Sequence, residues 1–157
     1  MPEVPGKKRE KIKLIFLIFL LDQSSKFFVS GKLKLNESIP VIKGVFHISL
    51  IHNYGAAFGI LKNNLPLFIF SAVFAVILIS RTLKKNKHQK LSLNNISLSL
   101  ILAGALGNLV DRLRFGYVID FLDFRIWPVF NLADSAITIG AVLLGWFMLR
   151  KNVSDNM

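Results

Sequence analysis

The apolar residues of this chain are gathered into runs that end in short blocks of lysine and arginine. They make up 53% of the 157 residues, more than an ordinary soluble domain contains, and such runs are typical of helices that cross a bilayer. Basic blocks at their ends mark cytoplasmic loops. The blocks comprise Lys7, Lys8, Arg9, Lys11 and Lys13, then Arg81, Lys84, Lys85, Lys87 and Lys90, then Arg150 and Lys151. This grouping argues against nucleic-acid binding despite the net charge of +11, because a nucleic-acid site needs one basic face.

We expect a single membrane domain over residues 1–157, with four transmembrane helices. The predicted helices run over about 12–29, 65–80, 93–113 and 133–149. No cleavage site of small residues follows the apolar run 14–21, so the first helix is expected to be retained and not removed as a signal peptide. The basic blocks predict cytoplasmic termini, with residues 30–64 and 114–130 on the outer side.

The outer segment 30–64 is predicted to contain a half-buried strand. Apolar and polar residues alternate from Phe46 to Leu50, and Ile51 breaks the alternation. The strand leads into a stretch rich in small residues, which consists of Asn53, Tyr54, Gly55, Ala56, Ala57, Phe58 and Gly59. This stretch is either a plain turn or a place where the backbone closely approaches another segment or a ligand. We expect no metal site, because the chain has no cysteine and its histidines lack a ligand-like spacing.

Four of the nine acidic residues lie between the third and fourth apolar runs, at Asp111, Asp120, Asp123 and Asp134. Carboxylates close to hydrocarbon are costly, so a functional site is the default interpretation. Asp120 and Asp134 have no evident cation nearby. Two carboxylates brought together in a poorly solvated place share one proton. Such a pair activates water for peptide hydrolysis without metal or cofactor, as in aspartic proteases.

The other two acids have nearby cations in the sequence. Asp111 is followed by Arg112, and we expect an ion pair or hydrogen bond that stiffens the end of the third helix. Asp123 precedes Arg125 by two residues, and we expect a solvated loop acid.

Some local patterns allow a purely structural role. Asp134 stands three residues after Asn131, a candidate N-cap, so it could be a capping-box carboxylate with no chemistry. Asp22 and Lys26 are four residues apart on one helix face. Two interpretations stay open for them: a structural ion pair, or groups on the substrate side. Asn108 and Asp111 also share a helix face.

Five sequence blocks occur in order along nearly the whole chain. They read DQSSK at 22–26, NYGAAF at 53–58, GNLVDR at 107–112, GYVIDF at 116–121 and FNLADS at 130–135. Together they resemble the lipoprotein signal peptidases, or signal peptidase II, which are bacterial intramembrane aspartyl proteases. The connection from Asp120 to Asp134 is shorter than is common in that family.

The resemblance implies an α-helical membrane protein of four transmembrane helices, with a small extracytoplasmic β-cradle between helices one and two. It implies a place in the bacterial cytoplasmic (inner) membrane, with the active site near the outer face. The implied substrate is a diacylglyceryl-modified prolipoprotein, cut just before the lipidated cysteine without a cofactor. We expect a monomer in contact with membrane lipids. The implied catalytic residues are Asp120 and Asp134, and the implied supporting or substrate-binding residues are Asp22, Lys26, Asn53, Gly55, Asn108, Asp111, Arg112 and Asn131.

Three other functions fit the sequence less well. A small proton-coupled transporter or channel would spread charges through the membrane depth and often show an internal repeat, whereas here the polar groups are predicted to collect at one face. A serine nucleophile with Lys26 as base is disfavoured because Ser24 and Ser25 adjoin the lysine and point elsewhere, and Ser30 lies at a fraying helix end. A structural scaffold would bury many polar groups, at a cost in free energy, with no function that requires them.

Overall fold

The computed structural model describes residues 6–55, 64–85 and 92–155. Over these ranges the chain forms four helices and three strands. They are α1 (Gly6–Lys32), β1 (Ser38–Ile42), β2 (Phe46–Asn53), α2 (Leu65–Lys85), α3 (Leu93–Phe115), β3 (Val118–Asp123) and α4 (Leu132–Asp155). The helices overlap the four predicted ranges and extend beyond them, because the flanking lysines and arginines are themselves good helix formers.

Three of the described helices, α2, α3 and α4, are long and apolar enough to cross a membrane. The 27 residues of α1 give it a length of roughly 40 Å at 1.5 Å per residue, but it is outside that set of three and contains charged residues near its middle. Three of the four expected membrane helices are therefore candidate membrane spans by length and composition.

Helix α3 lies at the centre of the fold and contacts α1, α2 and α4. Small residues permit its close approach to α4. A Cβ atom added to Gly104 would collide with the carbonyl oxygen of Ala133, and one added to Gly140 would lie 2.7 Å from the carbonyl oxygen of Ser97. Backbones that approach this closely hold the first half of α4 against α3 between Ser97 and Gly104.

The three strands form one antiparallel sheet in the order β1, β2, β3. β2 is the predicted strand, and its register against β3 shifts between Ile48 and Ile51. An extra residue of this kind is a β-bulge, which accounts for the break in alternation at Ile51.

The segment between helices one and two, where the whole β-cradle was expected, supplies only two of the three strands. The third strand comes from the connection between α3 and α4. That connection was predicted only as an outer loop. Most of the β3 residues are buried, on both faces of the strand, and strands buried on both faces have no alternating pattern.

An apolar cluster attaches the sheet to the end of α1. Its buried members are Val29 from α1, Leu33 directly after α1, Leu50 from β2, and Ile119 and Phe121 from β3. The sheet therefore lies where α1 and α3 end and α4 begins, and this arrangement places Asp120 beside the first turn of α4.

Candidate active site

Asp120 lies in the middle of β3 and is only 1% exposed. Its two carboxylate oxygens accept different amide N–H groups: Oδ1 from Asn131 Nδ2 at 2.7 Å and Oδ2 from Asn53 Nδ2 at 2.8 Å. The amide of Asn53 is itself oriented, because the backbone N–H of Gly55 donates to its Oδ1 at 2.9 Å. The side chain of Asp120 is thus held from two directions.

Asp134 lies in the first turn of α4, and its carboxylate accepts two hydrogen bonds. Asn108 Nδ2 donates to Oδ1 at 2.7 Å, and the backbone N–H of Asn131 donates to Oδ2 at 3.3 Å. In return, the backbone N–H of Asp134 donates to Asn131 Oδ1 at 2.8 Å. This reciprocal pattern is the predicted capping box. Asp134 therefore caps α4 and also belongs to the site that contains Asp120.

Two asparagines connect the carboxylates of Asp120 and Asp134, which we call the carboxylate pair. Asn131 holds Asp120, Asn108 holds Asp134, and Asn131 Nδ2 also donates to Asn108 Oδ1 at 3.2 Å. The pKa of Asp120 is raised to about 7, mainly by burial and secondly by the negative charge of Asp134. Hydrogen bonds from Asn53 and Asn131 oppose the shift. A proton can therefore reside on the pair at neutral pH.

Both carboxylates line one cavity of about 1010 Å³. Its remaining wall is mainly apolar, with Arg112 and Asn53 among its polar groups. The apolar wall includes Ile51, Val118, Phe124, Ile126, Trp127, Pro128, Val129, Phe130, Ile137 and Ile139. A concave site with mainly apolar walls and a few polar groups is typical of ligand-binding pockets.

Lys26 of α1 lies behind this cavity and is 2% exposed. Its Nζ lies 2.9 Å from Asp22 Oδ2, 2.8 Å from Asp111 Oδ2 and 3.1 Å from Asn108 Oδ1. An ammonium group has three donors, and each of them has an acceptor here. Since the amide oxygen of Asn108 faces Lys26, its NH₂ group is left to face Asp134. The predicted Asp22 and Lys26 ion pair is present and has a third member, Asp111.

The two carboxylates bound to Lys26 also join separate elements of the fold. Asp22 Oδ1 accepts the backbone N–H of Ala133 at 2.9 Å, at the start of α4. Asp111 Oδ2 accepts the backbone N–H of Ile119 at 3.2 Å, in β3. Gln23, which the sequence analysis did not single out, donates to both, at 3.1 Å to Asp22 Oδ2 and at 3.0 Å to Asp111 Oδ1.

The expected pairing of Asp111 with Arg112 is wrong. Neighbouring residues on a helix do not face each other, and Asp111 points to Lys26. The guanidinium of Arg112 lies 4.9 Å from the ring centroid of Phe68 and lines the cavity. It also donates a long hydrogen bond of 3.5 Å to the carbonyl oxygen of Gly55.

The expectation that Asp123 is a solvated loop acid is also wrong. Asp123 ends β3 and is buried, with Ser49 Oγ donating to its carboxylate at 2.8 Å and Arg125 donating at 2.9 Å from both its backbone and its side chain. Burial alone would raise its pKa, but these hydrogen bonds outweigh burial and hold the pKa below its ordinary value. Asp123 was expected to be solvated because its segment was expected to be a loop, whereas that segment forms β3.

The small-residue stretch is described only in part. Gly55 is buried, and both its N–H and its carbonyl oxygen make the contacts given above. Ala56, Ala57, Phe58 and Gly59 lie outside the described residues, as do Lys87 and Lys90 of the basic loop. Within residues 6–55, 64–85 and 92–155, no three histidine, aspartate or glutamate side chains are grouped so as to hold a metal ion.

Comparison with known proteins identifies the family. A model of the signal peptidase (SPase) II family matches residues 14–150. The lipoprotein signal peptidase of Halothermothrix orenii is 53% identical over 139 residues, which cover 88% of this chain and 94% of the relative. That of Moorella thermoacetica is 48% identical over 136 residues, covering 87% of this chain and 90% of the relative. A solved structure of a bacterial membrane enzyme matches with a TM-score of 0.86 at 31% identity, covering 99% of this chain and 94% of that one. This chain therefore belongs to the signal peptidase II family.

Proposed function

We propose that this protein is an intramembrane aspartic endopeptidase that removes the signal peptides of diacylglyceryl-modified prolipoproteins. Its membership of the signal peptidase II family supports the substrate class, since the relatives are named lipoprotein signal peptidases. The observation on which the mechanism rests is that Asp120 and Asp134 line one cavity and are connected by Asn108 and Asn131.

In the proposed mechanism the carboxylate pair enters the reaction with one proton. The ionised carboxylate removes a proton from a water molecule, and the resulting hydroxide attacks the scissile carbonyl carbon. The protonated carboxyl donates its proton to the carbonyl oxygen, which gives a neutral tetrahedral intermediate. Return of a proton to the peptide nitrogen then breaks the C–N bond and leaves a new carboxyl group and a new amine.

The hydrogen bonds on the pair suit this cycle. Asn53 and Asn131 donate to Asp120, and Asn108 donates to Asp134. Because these N–H groups stay in place while the proton moves, each carboxylate is stabilised when it becomes ionised without any rearrangement of the site. Lys26 contributes indirectly, by orienting the amide of Asn108.

The cavity walls suit the proposed substrate. A signal peptide and a diacylglyceryl group are both apolar, and they match the apolar side that includes Phe124, Ile126 and Trp127. Arg112, which has no carboxylate partner among the contacts of its guanidinium described above, faces the same space and would hydrogen-bond to carbonyl oxygens of the substrate.

We also propose that all four helices cross the membrane, with both termini in the cytoplasm and the carboxylate pair near the outer face. Arg9 and Lys13 lie near the start of α1, and Lys84 and Lys85 lie at the end of α2, as the positive-inside rule expects of cytoplasmic ends. The sheet lies at the opposite ends of these helices. In α1, the charges of Asp22 and Lys26 offset each other, which lowers the cost of placing them in the membrane.

A cleavage assay with two forms of one precursor tests this function. The purified full-length protein would be given a prolipoprotein with its diacylglyceryl group, and the same precursor without it. We expect cleavage of the lipidated form, with mass spectrometry placing the cut directly before the modified cysteine. If a folded preparation cleaves neither form and instead conducts protons in vesicles, the protein is a transporter and the proposal is wrong.

A further inference from the structure

Two segments far apart in the sequence meet at one end of the sheet. The register pairs His47 with Asp123, so the turn that joins β1 to β2 lies next to the loop that follows β3. Aromatic contacts hold the two together, because the ring centroids of Phe46 and Phe124 are 4.8 Å apart and those of Phe124 and Phe130 are 5.9 Å apart.

The residues displayed at this end are apolar and exposed. We call them the apolar tip, and they are Val41, Ile42, Val45, Ile126 and Trp127. Each is more than half exposed, and Ile126 reaches 94%. Soluble proteins rarely present a contiguous apolar patch to water unless it binds something, and an exposed apolar edge strand such as β1 also favours aggregation.

The substrate cavity does not account for the apolar tip. Ile126 and Trp127 line that cavity, but Val41, Ile42 and Val45 are not among its lining residues. The part of the tip contributed by the end of β1 and the following turn therefore faces something other than the carboxylate pair.

Charge and residue type indicate a lipid surface. Lys43 lies within the turn, and Arg125, whose side chain is 48% exposed, lies beside Ile126. Lysine and arginine beside apolar side chains match phosphates above acyl chains, and tryptophan is enriched at that depth. The tip also belongs to a sheet attached to the end of α1, which is where the headgroup layer would be.

We propose that the apolar tip inserts into the outer leaflet of the membrane and anchors the far end of the sheet to the lipid headgroup region. The sheet would then lie along the membrane surface, attached to α1 at one end and to lipid at the other. This anchoring is independent of the chemistry of the carboxylate pair.

Single cysteines test the proposal directly, because the chain contains none of its own. Val45→Cys and Ile126→Cys would each be spin-labelled in the full-length protein, reconstituted in vesicles of phosphatidylethanolamine and phosphatidylglycerol. Collision rates with oxygen, which concentrates in lipid, and with a water-soluble nickel chelate would be measured by electron paramagnetic resonance. Phe74→Cys, on the exposed apolar side of α2, is the lipid control, and Asn152→Cys, beyond Arg150 and Lys151, is the aqueous control.

We expect both tip labels to resemble the α2 control, with oxygen access exceeding that of the nickel chelate. Tip labels as accessible to the nickel chelate as the Asn152→Cys label would overturn the proposal. Protection from both reagents together with spin–spin broadening would show a second copy on the tip, and would also overturn it. Adding Val45→Asp to the labelled Ile126→Cys protein should increase nickel access at residue 126, since the two segments form one surface. An unchanged value there would refute that joint insertion.

Discussion

The backbone N–H of Ala133 donates a 2.9 Å hydrogen bond to Asp22 Oδ1, so a carboxylate of the first helix caps the start of the last one. The other oxygen of Asp22 lies 2.9 Å from Lys26 Nζ. Since Ala133 directly precedes Asp134, the position of one member of the carboxylate pair depends on an ion pair in α1.

Asp120→Asn and Asp134→Asn should each reduce cleavage by about 10⁴-fold, the scale seen when one member of a catalytic unit is removed, while the protein stays folded. Neither amide can take up the proton of the attacking water. The measurement is cleavage of a lipidated precursor by purified protein. Asp123→Asn is the matched control, because Asp123 lies in the same strand as Asp120 but bonds to Ser49 and Arg125. Near-normal activity of either paired variant would exclude the proposed mechanism.

Activity should fall as the pH rises above about 7, because the pKa of Asp120 is raised to about 7 by burial and by Asp134 and the pair must keep one proton. Asn53→Ala removes an N–H that stabilises the ionised form of Asp120, so the decline should move to higher pH. The measurement is the pH profile of kcat/KM. Ser49→Ala, which removes a contact of Asp123 instead, should leave the decline in place. If the pH profile of Asn53→Ala does not move, the ionisation of Asp120 is not the cause of the decline.

Folding stability should also depend on Asp120. Its pKa is about 7 in the folded protein against an ordinary value of 3.8, so the unfolded chain releases this proton at lower pH. The free energy of unfolding therefore declines as the pH rises from about 4 to about 7, through the contribution of this group. Asp120→Asn removes that contribution and should raise the thermal unfolding midpoint above pH 7. If Asp120→Asn is no more stable than the parent above pH 7, Asp120 is not a buried carboxyl with a raised pKa.

Lys26→Met should lower the free energy of unfolding by about 3–5 kcal/mol, since it leaves the buried Asp22 and Asp111 without their common cation. The corresponding change in a half-exposed ion pair is Arg125→Met, which removes the contact to Asp123 and should cost less than about 1 kcal/mol. Unfolding in mild detergent measures both. Equal losses in the two variants would show that the ion pairs of Lys26 are no more important than a surface pair.

Gly107→Ala should destabilise the protein by about 1–3 kcal/mol, the usual range for overpacking. The added Cβ would lie 2.5 Å from Asp22 Oδ2 and 3.3 Å from the Cβ of Ala133, so Asp22 would have to leave the start of α4. Gly145→Ala is the control, because its added Cβ meets nothing within 4 Å. Thermal unfolding would compare the two. A tolerant Gly107→Ala variant would show that the contact between Asp22 and α4 can relax.

The sequence by itself determined the features that depend on near neighbours. Runs of apolar residues between basic blocks predicted the four helices, and alternation predicted β2. The capping box from Asn131 to Asp134 comprises four residues, and the Asp22 and Lys26 pair spans one helical turn, so both could be predicted without the fold. The choice of Asp120 and Asp134 as a pair came from elimination among the acids and from the family resemblance.

Only the tertiary structure decided which distant groups meet. β3 has no alternating pattern because neighbours cover most of it, so its place beside β2 could not be predicted from its own residues. Asp111 points to Lys26 and not to Arg112, since helix geometry separates adjacent side chains while the packing of α1 on α3 brings Lys26 within 2.8 Å. Asp123 is buried because β3 brings it to Ser49. In each case the partner comes from another element, and a carboxylate in a low-dielectric interior takes the partner that the fold places within reach.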